Sequence, residues 1–187
     1  MGFELITPPA SEPVSLDEAK AHLRVDHDDE DALIARLVRT ARETAERHTG
    51  RAFITQGWRL WRDCWPASRT LEIPRPPLIA VSAVTAYGRS GAEIAVSSDA
   101  YIVDSASVPG RLVLKETASL PVDLAEANAI SVAFQAGYGA NAADVPAAIR
   151  NAILSLVAHL YEARGNAPAE PPAQVSALLA PFRVSML

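Results

Sequence analysis

The densest group of side chains able to bind a metal or move protons lies between residues 22 and 31. It combines His22, Asp26 and His27 with the acidic residues 28–31. Imidazole and carboxylate groups are ordinary metal ligands, but this spacing matches no known metal-binding loop. Acidic side chains also stabilise the N-terminus of a helix. We therefore interpret the group as the charged start of a helix and predict no metal site.

A glycine pattern like that of dinucleotide-binding loops occurs at residues 137–142, Gly-Tyr-Gly-Ala-Asn-Ala. A dinucleotide site also needs a second parallel strand after the following helix, with an acidic residue at its end. The chain beyond Gly165 instead predicts a linker, a short helix and a tail. We expect Gly137 and Gly139 to serve a tight turn and close packing, and we predict no cofactor. A cytoplasmic nucleotide-binding enzyme is the alternative that this loop leaves open.

No other residues form a recognisable catalytic set. The four histidines, His22, His27, His48 and His159, have no serine or cysteine in a nucleophile motif near them. A stacking platform of Trp58, Trp61 and Trp65 is one interpretation, but these residues have strand spacing, and we expect Trp58 or Trp61 to lie in the core. The single cysteine, Cys64, excludes an internal disulfide. The sequence thus predicts that the protein is not an enzyme.

Composition limits the partners of the chain. Its 187 residues, 49% hydrophobic and 21% charged, are typical of a globular protein. The formal net charge of −5 argues against tight binding to duplex DNA, which requires clustered Lys and Arg. The most apolar stretch, residues 149–161, contains arginine, asparagine and histidine and is too polar to span a membrane. We expect a protein that folds in the cytoplasm and has no membrane partner.

Three amphipathic segments predict helices over residues 15–24, 29–49 and 146–164. Ser15 and Glu18 have capping-box spacing at the start of the first helix. Gly50 is placed to end the second, Asp144 to cap the third, and Gly165 to end it. The apolar stripe of the third helix is wide enough to pack on two sides.

The segment between these helices alternates polar and apolar residues, which predicts a β region over residues 56–136. Proline and glycine turns divide it into short antiparallel strands. Residues 1–14, rich in proline, are expected to be irregular. The predicted fold is α+β: a helical bundle of two N-terminal helices and one long C-terminal helix, with antiparallel strands and hairpins between them. We expect residues 1–165 to form one domain.

Residues 166–187 are predicted to form a proline-rich linker, a short helix and a C-terminal tail. This segment contains many large apolar residues for its length: Val175, Leu178, Leu179, Phe182, Val184, Met186 and Leu187. These residues either fold back onto the core of the chain or dock on a partner protein and become ordered there. The sequence leaves both interpretations open.

Short motifs with a characteristic order and spacing extend through most of residues 13–164. They are residues 13–26, Asp31, residues 41–52, Gln56, Trp58, and residues 73–78, 101–104, 136–139, 145–149 and 160–164. In order and spacing they resemble the head-tail connector (adaptor) proteins of long-tailed bacteriophages and of the phage-derived particles called gene transfer agents.

The resemblance implies a structural protein of the particle neck. Family members form a ring of about twelve copies between the portal protein and the stopper or tail-completion proteins, and double-stranded DNA passes through the ring without sequence-specific binding. If the apolar C-terminal residues dock on a partner, we expect that partner to be the portal, so that they form a portal-docking tail. A free-standing interaction module or chaperone is the further alternative, and it would stay monomeric with every partner.

Overall fold

The computed structural model describes residues 2–163 and 170–184. Their contacts divide the chain into two compact units. The β unit comprises Met1–Pro8 and Thr55–Gly137, and the helical unit comprises Pro9–Ile54 and Tyr138–Leu187. Helices and antiparallel sheets occur together, which confirms the α+β class predicted from the sequence.

The β unit contains two antiparallel sheets built from eight strands. The five-stranded sheet has the order β1-β2-β8-β4-β5, and the three-stranded sheet has the order β3-β7-β6. The strands are β1 Gly2–Thr7, β2 Gln56–Arg62, β3 Thr70–Ile73, β4 Leu78–Tyr87, β5 Glu93–Ala95, β6 Tyr101–Asp104, β7 Gly110–Leu114 and β8 Ile130–Ala136.

Strand β8 lies at the centre of the larger sheet, between β2 and β4. Its alternate residues Val132 and Phe134 are buried, and they face Leu60 and Trp58 of β2 in register. This alternation of buried positions is what a strand with one covered face requires. The core of the β unit therefore lies on the face that carries these side chains.

The described residues of the helical unit, 9–54, 138–163 and 170–184, form four α-helices. They are α1 Leu16–Leu23, α2 Asp31–Thr49, α3 Ala147–Ala163 and α4 Ala173–Leu179. Their apolar faces form one core cluster, in which Ile34 and Val38 of α2 join Ile149 and Ile153 of α3. Most of the stability of such helices comes from packing of this kind rather than from helix propensity.

The helix ends follow the predicted signals except at α3. At α1, Ser15 Oγ accepts from Glu18 N (3.1 Å) and Glu18 Oε2 accepts from Ser15 N (2.9 Å). Gly50 ends α2 with a positive φ of 73°. Asp144 does not cap α3: it lies in a 3₁₀ turn, Ala142–Asp144, where its carboxylate accepts from Asn141 N at 2.9 Å. The predicted end at Gly165 lies outside the described residues.

The prediction that residues 1–14 are irregular is wrong for the first of them. Residues Gly2–Thr7 form strand β1, paired antiparallel with β2. All six are exposed, so the buried-exposed alternation that reveals a strand in a sequence is missing here. Pairing with β2, and not a local pattern, determines this element.

Candidate assembly surfaces

The acidic stretch around residues 22–31 is organised by a lysine. Lys20 Nζ lies 2.6 Å from Asp28 Oδ1 and 2.7 Å from Asp31 Oδ1. Hydrogen bonding to these carboxylates raises the pKa of Lys20, and the same contact lowers the pKa of Asp28. The ammonium group of Lys20 therefore pairs with two carboxylates of this stretch. Within residues 2–163 and 170–184, no three His, Cys, Asp or Glu side chains are grouped as metal ligands.

The glycine loop at residues 137–142 is packed as a turn. Gly137 has a φ of 141°, which side-chain-bearing residues rarely adopt. A Cβ atom on Gly139 would collide with the carboxylate of Asp144. An anionic group thus fills the space next to the glycine, where a dinucleotide site would need room for a phosphate. The predicted role in a tight turn and close packing is confirmed.

The three tryptophans belong to the β unit, and all are half-buried. Trp61 Nε1 donates to Glu4 Oε1 (3.1 Å), and Trp65 Nε1 donates to the carbonyl of Pro121 (2.9 Å). The expectation that Trp58 or Trp61 lies in the core is wrong, because Leu60 is the fully buried residue of this part of β2. The tryptophans lie at the margin of the core.

The most deeply buried charges form an internal network in the helical unit. Arg42 Nη1 lies 2.8 Å from Glu46 Oε2, and Arg42 Nε lies 2.7 Å from Glu12 Oε2. Burial lowers the pKa of Arg42, but Glu46 and Glu12 together raise it above its ordinary value. Glu46 Oε1 also accepts from Phe53 N at 2.8 Å. Because every one of these contacts joins parts of the same unit, the network is structural.

The C-terminal segment folds back onto the helical unit as far as it is described. Val175 and Leu179 of α4 lie in the hydrophobic core, and Phe182 packs against it. The carbonyl of Phe182 accepts from Arg51 Nε (2.6 Å), and Val184 N donates to the carbonyl of Thr49 (2.9 Å). These contacts favour the first of the two interpretations for residues 173–184.

The predicted docking residues are therefore not equivalent. Leu178, on the outer side of α4, is 43% exposed, whereas Val175 and Leu179 are buried in the chain's own core. Val184 is half-buried. Met186 and Leu187 lie outside the described residues. The docking role of this tail stays a prediction, and of its described residues Leu178 offers the most open apolar surface.

Exposed apolar residues that were not predicted from the sequence lie along two strands of the β unit. In β1, Phe3, Leu5 and Ile6 are 37%, 45% and 48% exposed. In β6, Ile102 and Val103 are 55% and 36% exposed. Both strands are the outermost members of their sheets. The apolar residues Phe3, Leu5 and Ile6, a short distance before Pro8, were the available signal for β1.

The described helices contain none that is both long enough and apolar enough to cross a lipid bilayer.

Comparison with known proteins agrees with the resemblance seen in the sequence. A family model described as "Phage gp6-like head-tail connector protein" matches residues 13–109. A comparison with curated proteins gave no significant match.

Solved structures of similar fold come from particles of gene transfer agents (GTA). One is described as the virion of a native GTA particle, with a TM-score of 0.84 and 25% sequence identity. Another is the neck of a native GTA particle computed with C12 symmetry, with a TM-score of 0.81 and 25% identity. A third, the neck of an empty GTA particle computed with C6 symmetry, has a TM-score of 0.84 and 24% identity. Each similarity covers 100% of this chain and 97% of the other chain.

The family match spans more than half of the chain, and the similarity of fold extends over its whole length. The chain belongs to the family of phage gp6-like head-tail connector proteins.

Proposed function

We propose that this chain is a structural subunit of the neck of a phage or gene transfer agent particle, where copies of it form a ring between the portal and the stopper or tail. The observation that carries the proposal is the match to the head-tail connector family, extended by a fold shared with chains of GTA particles over the full length. The neck computed with C12 symmetry supports a ring of about twelve copies.

The distribution of exposed apolar side chains fits a ring. Each subunit of a closed ring uses one face to contact a different face of its neighbour. A stable contact of this kind buries roughly 800 Å² on each partner. Strands β1 and β6 together expose five large apolar residues, which are available for such contacts. Connecting head and tail requires binding and no turnover, so the protein is a structural component and not an enzyme.

The acidic character of the chain suits a passage for DNA. With a formal net charge of −5, the ring repels phosphate groups, which lets duplex DNA pass without adhering. Separate variants that replace exposed acids of each unit with lysine identify the acids that face the channel. We expect slower DNA release from particles carrying one of these variants. Unchanged release from all of them would contradict the proposed electrostatic role.

The C-terminal segment is the proposed contact with the portal. Because Val175 and Leu179 belong to the core, removing everything after Pro172 damages the fold itself and gives no clean test. Two sharper variants are a chain ending after Val184 and the substitution Leu178→Asp. We expect both to fold and to bind the portal at least tenfold more weakly. Val122→Asp, at a position that is 91% exposed in the β unit, is the matched control and should bind normally.

The decisive experiment for the main proposal is electron microscopy of purified particle necks from strains with and without this gene. We expect a ring of this chain directly below the portal, and DNA-filled heads without tails when the gene is deleted. Tailed, infectious or transducing particles that lack the chain would refute the proposal.

A further inference from the structure

We propose that the ring is joined by β-sheet pairing between two specific edges: strand β1 of one copy with strand β6 of the next. The inference rests on the proposed function, because it assigns the contact by which copies of the chain associate. The partner is a second copy of this chain.

Two of the sheet edges carry features that prevent pairing with another chain. Proteins protect exposed edges with charges, very short strands and bulges. On β3 the apolar residues Leu71 and Ile73 are buried, and the exposed residue between them is Glu72. Strand β5 has only three residues and begins with Glu93. Strand β3 exposes no large apolar residue, and β5 exposes only Ile94.

The part of β4 that extends beyond β5 is protected differently. Strand β5 pairs only with Thr85–Tyr87 in β4, so the earlier residues form an outer edge of the sheet. In that stretch the register with β8 shifts twice, between Leu78 and Ala80 and again between Val81 and Ala83. Bulges bend a strand and interrupt its ladder, which makes it a poor template for pairing.

Strand β1 is less protected than these edges, because its one register shift lies near its end, between Leu5 and Thr7. It runs in regular register with β2 from Gly2 to Leu5 and contains no lysine or internal proline. Its one charged residue, Glu4, accepts a hydrogen bond from Trp61 within the same sheet. Phe3 and Leu5 lie in register with Leu60 and Trp58, so the apolar core face of the sheet continues to an uncovered edge.

Strand β6 is the second unprotected edge. Its four residues pair with β7 without a bulge, from Tyr101 opposite Leu114 to Asp104 opposite Arg111. Ile102 and Val103 are exposed in the middle of the strand. The charge of Asp104 is engaged by Arg111, whose Nη2 lies 2.6 Å from Asp104 Oδ2. The strand therefore exposes apolar side chains at its centre and unpaired backbone groups along its outer edge.

The charges beside the two edges are complementary. Next to β1, the guanidinium of Arg75 lies over the rings of Phe3 and Trp58, 5.2 and 5.3 Å from their centres, and Arg59 neighbours Glu4. Asp99 lies just before strand β6, whereas Asp104 at its end is already paired with Arg111. Opposite charges on the two sides of a contact favour association.

The two edges differ in sequence and belong to different sheets of one copy. A contact between them is therefore heterologous, which is the type that closes into rings when the rotation permits. Pairing through the backbone adds a strand to each sheet, and the apolar side chains of alternate residues determine the partner.

Cross-linking in assembled necks tests the proposal. The background is Cys64→Ser, because Cys64 is exposed and would react. Three variants are compared with a short bis-maleimide reagent: Leu5→Cys, Ile102→Cys and the two together. We expect a ladder of covalent oligomers from the double variant and only monomers from each single variant, since one copy's β1 meets the next copy's β6.

Each other outcome overturns the pairing. Dimers from a single variant would show that identical edges meet, and a link to the portal or stopper would show a different partner. A ring visible by electron microscopy without cross-links in the double variant would refute this contact while leaving the proposed function intact. Absence of the chain from necks would refute both.

A charge placed on the edge provides an independent test. Leu5→Lys introduces the type of residue that protects natural edges, and Val122→Lys places the same charge at an exposed position away from any strand. Circular dichroism establishes that both variants fold. We expect Leu5→Lys to lower incorporation into necks at least tenfold and Val122→Lys to be incorporated like the unmodified chain. Equal incorporation of the two variants contradicts the proposal.

Discussion

The helical unit and the β unit differ in how far they bury their large apolar residues. Of the ten large hydrophobic residues exposed within residues 2–163 and 170–184, nine lie in the β unit and one, Leu178, lies in the helical unit. The helices of the helical unit pack their apolar faces against one another, and its buried charges are paired within the unit. The β unit leaves apolar strands at two edges.

This difference separates stability from assembly. A core that satisfies its own groups needs no neighbour to be stable, whereas exposed apolar edges are tolerated in proteins mainly where another chain covers them. We therefore expect substitutions in the core of the helical unit to change the free energy of unfolding, and substitutions at the edges of the β unit to change association with little effect on folding.

The largest effect on folding is expected from Arg42→Met. It removes the guanidinium paired with buried Glu46, and breaking a buried ion pair costs about 3–5 kcal/mol of unfolding free energy. Urea unfolding followed by the helical circular dichroism signal measures the loss. Adding Glu46→Gln, which keeps an acceptor for Phe53 N, should recover part of it. A loss below about 1 kcal/mol from Arg42→Met would mean that the network contributes little.

The next largest loss of unfolding free energy is expected at a buried isoleucine, and an exposed isoleucine provides the comparison. Ile153, fully buried in α3, loses packing and leaves a cavity when changed to alanine, at a cost of about 2–5 kcal/mol. Ile102→Ala, at the exposed edge β6, should cost less than about 0.5 kcal/mol in the isolated chain. Urea unfolding of both variants provides the comparison. Similar losses from both substitutions would show that the edge already supports the fold of the single chain.

The helical unit was also the part that the sequence predicted best. Its helices have a regular apolar stripe, a capping box at Ser15 and a terminating glycine at Gly50, all of which act between residues close in sequence. The wrong prediction that Asp144 caps α3 also rested on residues close in sequence. The sequence shows a suitable side chain before a helix, but not that its carboxylate accepts a hydrogen bond from Asn141 N in a separate turn.

The assembly surface was harder to predict because it depends on pairing between distant segments. Strand β1 is defined by Trp58 and its neighbours on β2, more than fifty residues along the chain. The exposure of Ile102 follows from the position of β6 at a sheet edge, which no local pattern reveals. The same holds for the C-terminal segment, whose apolar load the sequence shows without telling which of Leu178 and Leu179 is covered.

A smaller effect is expected at the start of α1. Ser15→Ala removes the side-chain acceptor for Glu18 N and should lower the unfolding free energy by about 1 kcal/mol. Ser119→Ala, an exposed serine of the β unit, is the control and should change it by less than about 0.5 kcal/mol. Urea unfolding followed by the helical signal again measures both. Equal effects would show that the capping box is not needed once α1 is packed.

The smallest effect concerns the acid that supports the edge strand β6. Hydrogen bonds from Ser107 and Arg111 lower the pKa of Asp104 to about 2, against an ordinary value of 3.8. Because the pKa is lower in the folded chain, its stabilising contribution is complete above the ordinary value and is lost as the pH falls through the folded value.

Asp104→Asn removes this pH dependence. We expect the variant to melt at a lower temperature than the unmodified chain at neutral pH, and the gap to narrow as the pH falls from about 4 to about 2. Tryptophan fluorescence is the suitable probe, because all three tryptophans lie in the β unit and report its unfolding separately from the helical signal. If the difference in melting temperature stays constant over this range, the stabilisation comes from the geometry of the hairpin and not from the charge of Asp104. Strand β6 would then depend on its pairing with β7 and not on the charge of Asp104.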